Sequence, residues 1–225
     1  MQITGRTAGV PFTVTASATS GSATVTEPTS ANGPSFWNSA ANWDGGTLPS
    51  AGDTLIIADN NTDILYGLTD TTNYGAIEVW ASFTGAIGLP TNNSNGYTEY
   101  RTRFLTLGTG SAISVTIGYG TGQQADRVYM DLQGSNSTIT VLGSTSNTSY
   151  GYPIQFRKTG ASSTCKVYSG IVLFDAAIGT TATIGTLDIV QHDGTSAPIV
   201  DVGSLVTTTT VTAQGGTVNL SGAVT

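Results

Sequence analysis

Thr183-Ile184-Gly185-Thr186-Leu187-Asp188-Ile189-Val190 and, farther on, Leu205-Val206-Thr207-Thr208-Thr209-Thr210-Val211 are the stretches that decide the fold. Sliding the chain by 22 residues sets Ile184 on Val206, Thr186 on Thr208, Ile189 on Val211 and Gly194-Thr195 on Gly216-Thr217. A repeat of that length is about one coil of a parallel β-helix. A single coil has no means of burying its own inward face, so stacked neighbours supply the core. The reading is all-β: a parallel β-helix or solenoid-like main domain over 33–225. The phase of the repeat fades upstream of Ala176, and strands at this spacing also fit a β-sandwich, which stands as the alternative.

Working outward, short apolar runs recur with Gly, Asn and Ser between them: Asp53 to Ile57, Ile64 to Tyr66, Ala76 to Trp80, Phe104 to Leu107, Ile113 to Ile117, Val128 to Leu132, Thr138 to Leu142, Ile154 to Phe156, Cys165 to Tyr168 and Ile171 to Phe174. Period-two alternation of Val and Ile with Thr suits a pleated strand. No window holds an apolar stripe at helical spacing, so almost no helix is expected. Residues 1–32 read as an N-terminal unit of a few strands and a linker. Phe12, Val14 and Ala16 alternate with threonines, Pro11 suits a strand start, and Glu27 to Pro34 is a Pro/Ser/Asn/Gly connector. So short a unit belongs to a larger or shared β domain.

Composition narrows the function. Charged residues make up 9% of 225, against about a quarter in an ordinary soluble domain, so the surface must be Thr, Ser, Asn and Gly. The net charge of −7, with Arg157-Lys158 the only adjacent basic pair, argues against nucleic-acid and anionic-membrane surfaces. No apolar run reaches the roughly 20 residues of a membrane helix. One cysteine, Cys165, allows no intrachain disulfide and reads as a buried thiol in an alternating strand. Met1-Gln2-Ile3-Thr4 leads into strand-like sequence without a basic or apolar leader. That combination suggests a fragment of a longer chain or a protein assembled inside a cell.

Trp37-Asn38-Ser39-Ala40-Ala41-Asn42-Trp43-Asp44-Gly45-Gly46-Thr47-Leu48-Pro49, followed by Gly52 to Ile57, resembles the opening coil of many secreted β-helix and autotransporter passenger domains. With Thr62 to Leu68, Phe83 to Pro90 and Tyr97 to Arg101, the chain is similar to a family of β-helix-like structural proteins of tailed bacteriophages and planctomycete-type bacteria. The resemblance implies a virion or surface structural role. It also implies a longer N-terminal β domain and further C-terminal coils than this chain carries.

Candidate chemistry is sparse. Asp59-Asn60-Asn61-Thr62-Asp63 alternates oxygen side chains as a calcium loop does, but Ile64 stands where such a loop needs Gly, so an Asn-rich turn is the reading. The carboxylates, among them Asp126 and Asp131, are scattered and mark no glycosidase pair. One His, His192, and one Cys support neither a zinc site nor a triad. No catalytic residue, metal or cofactor is assigned. Gly118-Tyr119-Gly120-Thr121-Gly122 is a loop with no following helix to hold a phosphate. Trp37 and Trp43 are expected to cap the open end of the solenoid. Tyr97, Tyr100, Arg101 and Arg103, on a long semi-polar segment, are the candidate contact surface.

The expectation is a non-enzymatic structural component of a bacteriophage virion surface: a decoration, fibre or tail-associated protein. It would pair with other virion proteins and with copies of itself, a trimer being the candidate, and would touch a host surface glycan. A bacterial extracellular adhesin binding glycans is the second reading, and a polysaccharide-degrading tailspike the third.

Overall fold

A computed structural model describes residues 33–92, 95–110, 112–146, 151–192 and 195–225. The expected N-terminal strands of 1–32 lie outside the described residues. Seven strands occupy the first part: β1 (Thr54–Ile57), β2 (Ala76–Trp80), β3 (Ala86–Ile87), β4 (Leu105–Thr106), β5 (Ile113–Tyr119), β6 (Arg127–Asp131) and β7 (Ser137–Val141). Seven more follow: β8 (Ile154–Arg157), β9 (Thr164–Val167), β10 (Ile171–Asp175), β11 (Ala182–Val190), β12 (Ile199–Val202), β13 (Val206–Gln214) and β14 (Thr217–Leu220). The helical content of the described residues is two short 3-10 turns, Ala40–Asn42 and Asp44–Gly46.

The chain passes back and forth between two parallel sheets. The first runs β1-β2-β5-β7-β9-β11-β13, and the second runs β14-β12-β10-β8-β6-β3 with β4 also on β6. This is the parallel β-helix expected from the repeat, and the sandwich alternative falls, because every strand pair is parallel.

Alternation and register together build the core. Leu55, Ile77, Val115, Ile139, Cys165, Leu187 and Val211 stack in one inward column of the first sheet. Val128, Ile154, Val172, Val200 and Val218 face them from the second. Ile77, Val115, Ile139, Cys165, Leu187, Val172 and Val200 are fully buried, each aliphatic side chain among them stabilising the fold by about 1.5–3 kcal/mol. Cys165 is one of these core side chains, and burial pushes its thiol pKa up, so it stays protonated and inert.

The offset of 22 needs correction where it was read. Ile184 lies beside Thr208, not Val206, an offset of 24. The offset of 22 belongs one coil earlier, where Thr164 pairs with Thr186. The slip of two residues left Ile184 and Ile189 opposite inward positions, but it set the outward Thr186 on the buried Thr208, because the alternation changes phase at Gly185 and Thr209.

One rung of the second sheet is interrupted. Ala86 and Ile87 pair with Arg127 and Val128, and Leu105 and Thr106 pair with Met130 and Asp131. β3 and β4 are therefore two halves of a single rung, between which residues 88–92 leave the coil and 95–104 return to it. No helix of the described residues is long and apolar enough to cross a membrane.

Candidate functional site

The excursion from that rung carries the candidate contact residues. Its arms run antiparallel: Leu89 N donates to Arg103 O at 3.0 Å, Glu99 N to Thr91 O at 2.8 Å, and Asn92 bridges Thr98. Gly88 starts it at φ +101°, where an added Cβ would stand 2.5 Å from Arg103 O and 2.9 Å from Tyr129 Cβ. Only glycine lets the outgoing arm pass so close over β6.

The four candidate side chains part company here. Tyr97 and Tyr100 are exposed, at 74% and 79%. Arg101 is satisfied by its own arm: Nε and Nη2 donate to the two Glu99 carboxylate oxygens at 2.8 and 2.7 Å, with Tyr66 beneath at 5.2 Å. The Glu99 carboxyl is held below its usual pKa mainly by those bonds, and the Arg101 guanidinium is raised by them. Arg103 turns back toward the sheet. Its Nη2 donates to Thr91 Oγ1 at 2.7 Å and its Nε weakly to Leu89 O at 3.4 Å.

Beneath the excursion lies a set of residues that sequence reading did not assemble. Phe104 stacks on Tyr129 with ring centroids 5.2 Å apart. The Arg157 guanidinium sits over Phe104 at 3.8 Å, Arg103 lies 5.5 Å from Phe104 and 5.9 Å from Tyr129, and Arg127 lies 5.6 Å from Tyr129. By register, Arg127, Tyr129 and Asp131 point outward from β6 and Gln155 and Arg157 from β8, yet Tyr129 is fully buried and Arg127, Asp131 and Gln155 are nearly so. The excursion covers this part of the outer face, and β6 is buried on both sides. Arg127 Nε and Nη2 donate to Gly88 O, tying the base of the excursion down. Asp131 takes Lys158 at 3.5 Å.

Two arginines keep no acidic partner. Among the described residues neither Arg103 nor Arg157 forms an ion pair, and Arg157 Nε is sealed from solvent without a hydrogen-bond acceptor. Burial, and next the charge of Arg157, lowers the Arg103 pKa. A signal for this cluster existed in the sequence. Arg127, Tyr129 and Asp131 alternate with Val128 and Met130, so the outward column of β6 carries large polar and aromatic groups where other strands carry Thr. Which side chains they meet required the through-space register.

The tryptophans sit at the β1 end of the solenoid. Trp37 is buried in the core cluster, edge-on to Trp43 at 5.0 Å, and Trp43 Nε1 donates to Trp37 O at 3.0 Å. Asp70 anchors them, accepting from Trp37 Nε1 at 2.6 Å and Tyr74 Oη at 2.5 Å. Burial alone would raise the Asp70 pKa, but the bonds from Tyr74, Trp37 and Thr72 outweigh it and the net shift is downward. Between this segment and β1 lies an open cavity of about 990 Å³ lined by Trp43, Leu48, Pro49, Leu55 and Ile57.

The remaining sequence candidates serve the fold. Asp63 Oδ1 accepts from Ala86 N at 2.9 Å, Asn60 Oδ1 from Thr62 N at 2.8 Å, and His192 packs edge-on against Tyr168. Among the described residues no group of three or more His, Cys, Asp or Glu is placed to hold a metal. Compared with protein-family models, curated proteins and solved structures, the chain matches none.

Proposed function

We propose that this chain is a non-enzymatic structural protein that associates with copies of itself, within the surface of a bacteriophage particle, through the outer face of its first sheet. The observation that carries the reading is the outward column of that face. Thr54, Ala76, Ser114, Thr138, Thr164, Thr186 and Thr210 stand in register along all seven strands. The next outward column holds Ile56, Glu78, Thr116, Thr140, Lys166, Asp188 and Thr212. Strands about 4.8 Å apart make the first column a regular, uncharged ladder of short side chains, flanked by the three charged groups of the second. Such a surface loses little side-chain entropy and few charge solvation shells when a second one packs on it. The particle assignment is supported by the sequence resemblance, the self-association by this face.

Light scattering on the purified chain tests the self-association. The wild type is expected as an oligomer, and Thr138→Arg/Thr140→Arg as a monomer with an unchanged melting temperature, because both sites are solvent-facing. A wild type that stays monomeric at high concentration overturns the reading.

An extracellular adhesin that touches glycans is the second reading. It is favoured by the exposed Tyr97 and Tyr100 on the excursion, Tyr100 lying 5.9 Å from the Arg101 guanidinium.

A further inference from the structure

We propose that Arg103 and Arg157, at the foot of the excursion, form a binding site for the carboxylate of an acidic saccharide. The site does not depend on the self-associating face, which lies on the other sheet.

Charge placement is the first ground. The protein carries −7 overall and seven basic residues. Of the six that fall among the described residues, Arg101, Arg103, Arg127, Arg157 and Lys158 gather on or beside the outer face of β6 and β8. Arg101 and Lys158 are neutralised by Glu99 and Asp131. Arg103 and Arg157 are not, although like charges close together are unfavourable and an acidic protein has carboxylates to spare. Asp175, the neighbour of Arg157 across the register, uses Oδ1 on Ala176 N instead. Unneutralised positive charge inside an acidic surface draws an anion to one place.

Preorganisation is the second ground. Arg157 lies against the Phe104 face, and Phe104 is fixed by Tyr129 behind it. Its Nε is sealed with no acceptor and the side chain is only partly exposed, so the terminal nitrogens are the atoms offered to a ligand. A planar guanidinium held by ring stacking presents a fork matched to the two oxygens of a carboxylate. Arg103, within reach of the same ring, supplies the second positive group.

The aromatic surroundings choose the class of anion. Tyr97 and Tyr100 project from the same excursion with three-quarters of their surface in water, and large exposed rings beside polar donors suit the faces of sugar rings. A polyphosphate or nucleic acid would call for a row of basic groups along a groove. Two guanidiniums at the foot of an excursion that carries two exposed tyrosines fit a carboxylate on a sugar.

Titration calorimetry of the full chain against an oligogalacturonate, in about 0.15 M salt, tests the site. The comparison ligands are the carboxyl-reduced neutral oligosaccharide, a poly-glutamate peptide and inorganic sulfate. The wild type is expected to bind the oligogalacturonate and none of the other three. Arg103→Gln and Arg157→Gln are each expected to weaken binding by roughly tenfold or more, the loss of a charge-assisted pair. Arg157→Lys, which keeps the charge and loses the fork, should weaken it comparably. Melting temperatures are recorded for each variant, and if Arg157→Gln is unfolded, Arg103→Gln decides. No binding by the wild type, equal binding of the neutral sugar, the peptide or sulfate, or variants that bind as the wild type does, each overturns the proposal.

Discussion

The outer faces of the two sheets share one backbone rule and have opposite fates. On the first sheet the outward columns are mostly Thr and Ser, and the face is left in water. On the second, the outward side chains of β6 include Arg127, Tyr129 and Asp131, and the excursion between β3 and β4 folds back over them. The inward columns are alike in being mostly apolar and buried. The solenoid core therefore says little about what each face does. The outward column and the insertions between half-rungs set that.

The largest effect expected from this contrast is at Tyr129. By alternation it faces out, yet it is fully buried against Phe104. Tyr129→Ala should cost about 3–5 kcal/mol in denaturant unfolding, as a core aromatic would. A cost under about 1 kcal/mol, the size of a typical surface substitution, would break the comparison. Gly88→Ala comes next, at about 1–3 kcal/mol, since it forces a side chain into a positive-φ site against Arg103 O and Tyr129. Unchanged stability there would mean that the excursion does not lie on the sheet.

At the β1 end, the effect is one of pH. The folded pKa of Asp70 lies below its ordinary value near 3.9. Its stabilisation is therefore complete above that value and is lost as pH falls through the folded pKa. Tyr74, raised by burial and then by Asp70 to about 12, adds stability below about pH 10 that disappears as pH rises toward 12. Asp70→Asn should flatten the acid limb of the melting-temperature profile. An acid limb identical to wild type would show that the carboxylate does not hold Trp37 and Tyr74 in place. The smallest effect is expected on the bare face, where Thr140→Ala should stay within about 0.5 kcal/mol of wild type.

Much of the solenoid was legible because alternation survives small errors. The strands at Ala76 to Trp80, Ile113 onward and Ile171 onward stand close to where the pattern put them. The misread register at Ile184 was even, so Ile184 and Ile189 kept inward partners, and the mismatch is Thr186 set on the buried Thr208, across the phase change at Gly185. Coil length was less legible. Val128 meets Ile154 after 26 residues, Ile154 meets Val172 after 18, and Val172 meets Val200 after 28. Turns absorb these differences, so no single period runs upstream. The candidate site was half legible. Tyr97 to Arg103 stood out as a long semi-polar segment, but its return to the same rung is a property of pairing with β6. Phe104, Tyr129 and Arg157 are far apart in sequence and belong to three different strands or their margins, so their meeting could not be seen along the chain.

The most direct test is hydroxyl-radical footprinting of the tyrosines in the native protein, read by mass spectrometry. The account predicts fast modification of Tyr97 and Tyr100 and protection of Tyr129, with Phe104 protected beside it. Modification of Tyr129 at the rate of Tyr100 would contradict the covered face, and with it the contrast between the two sheets.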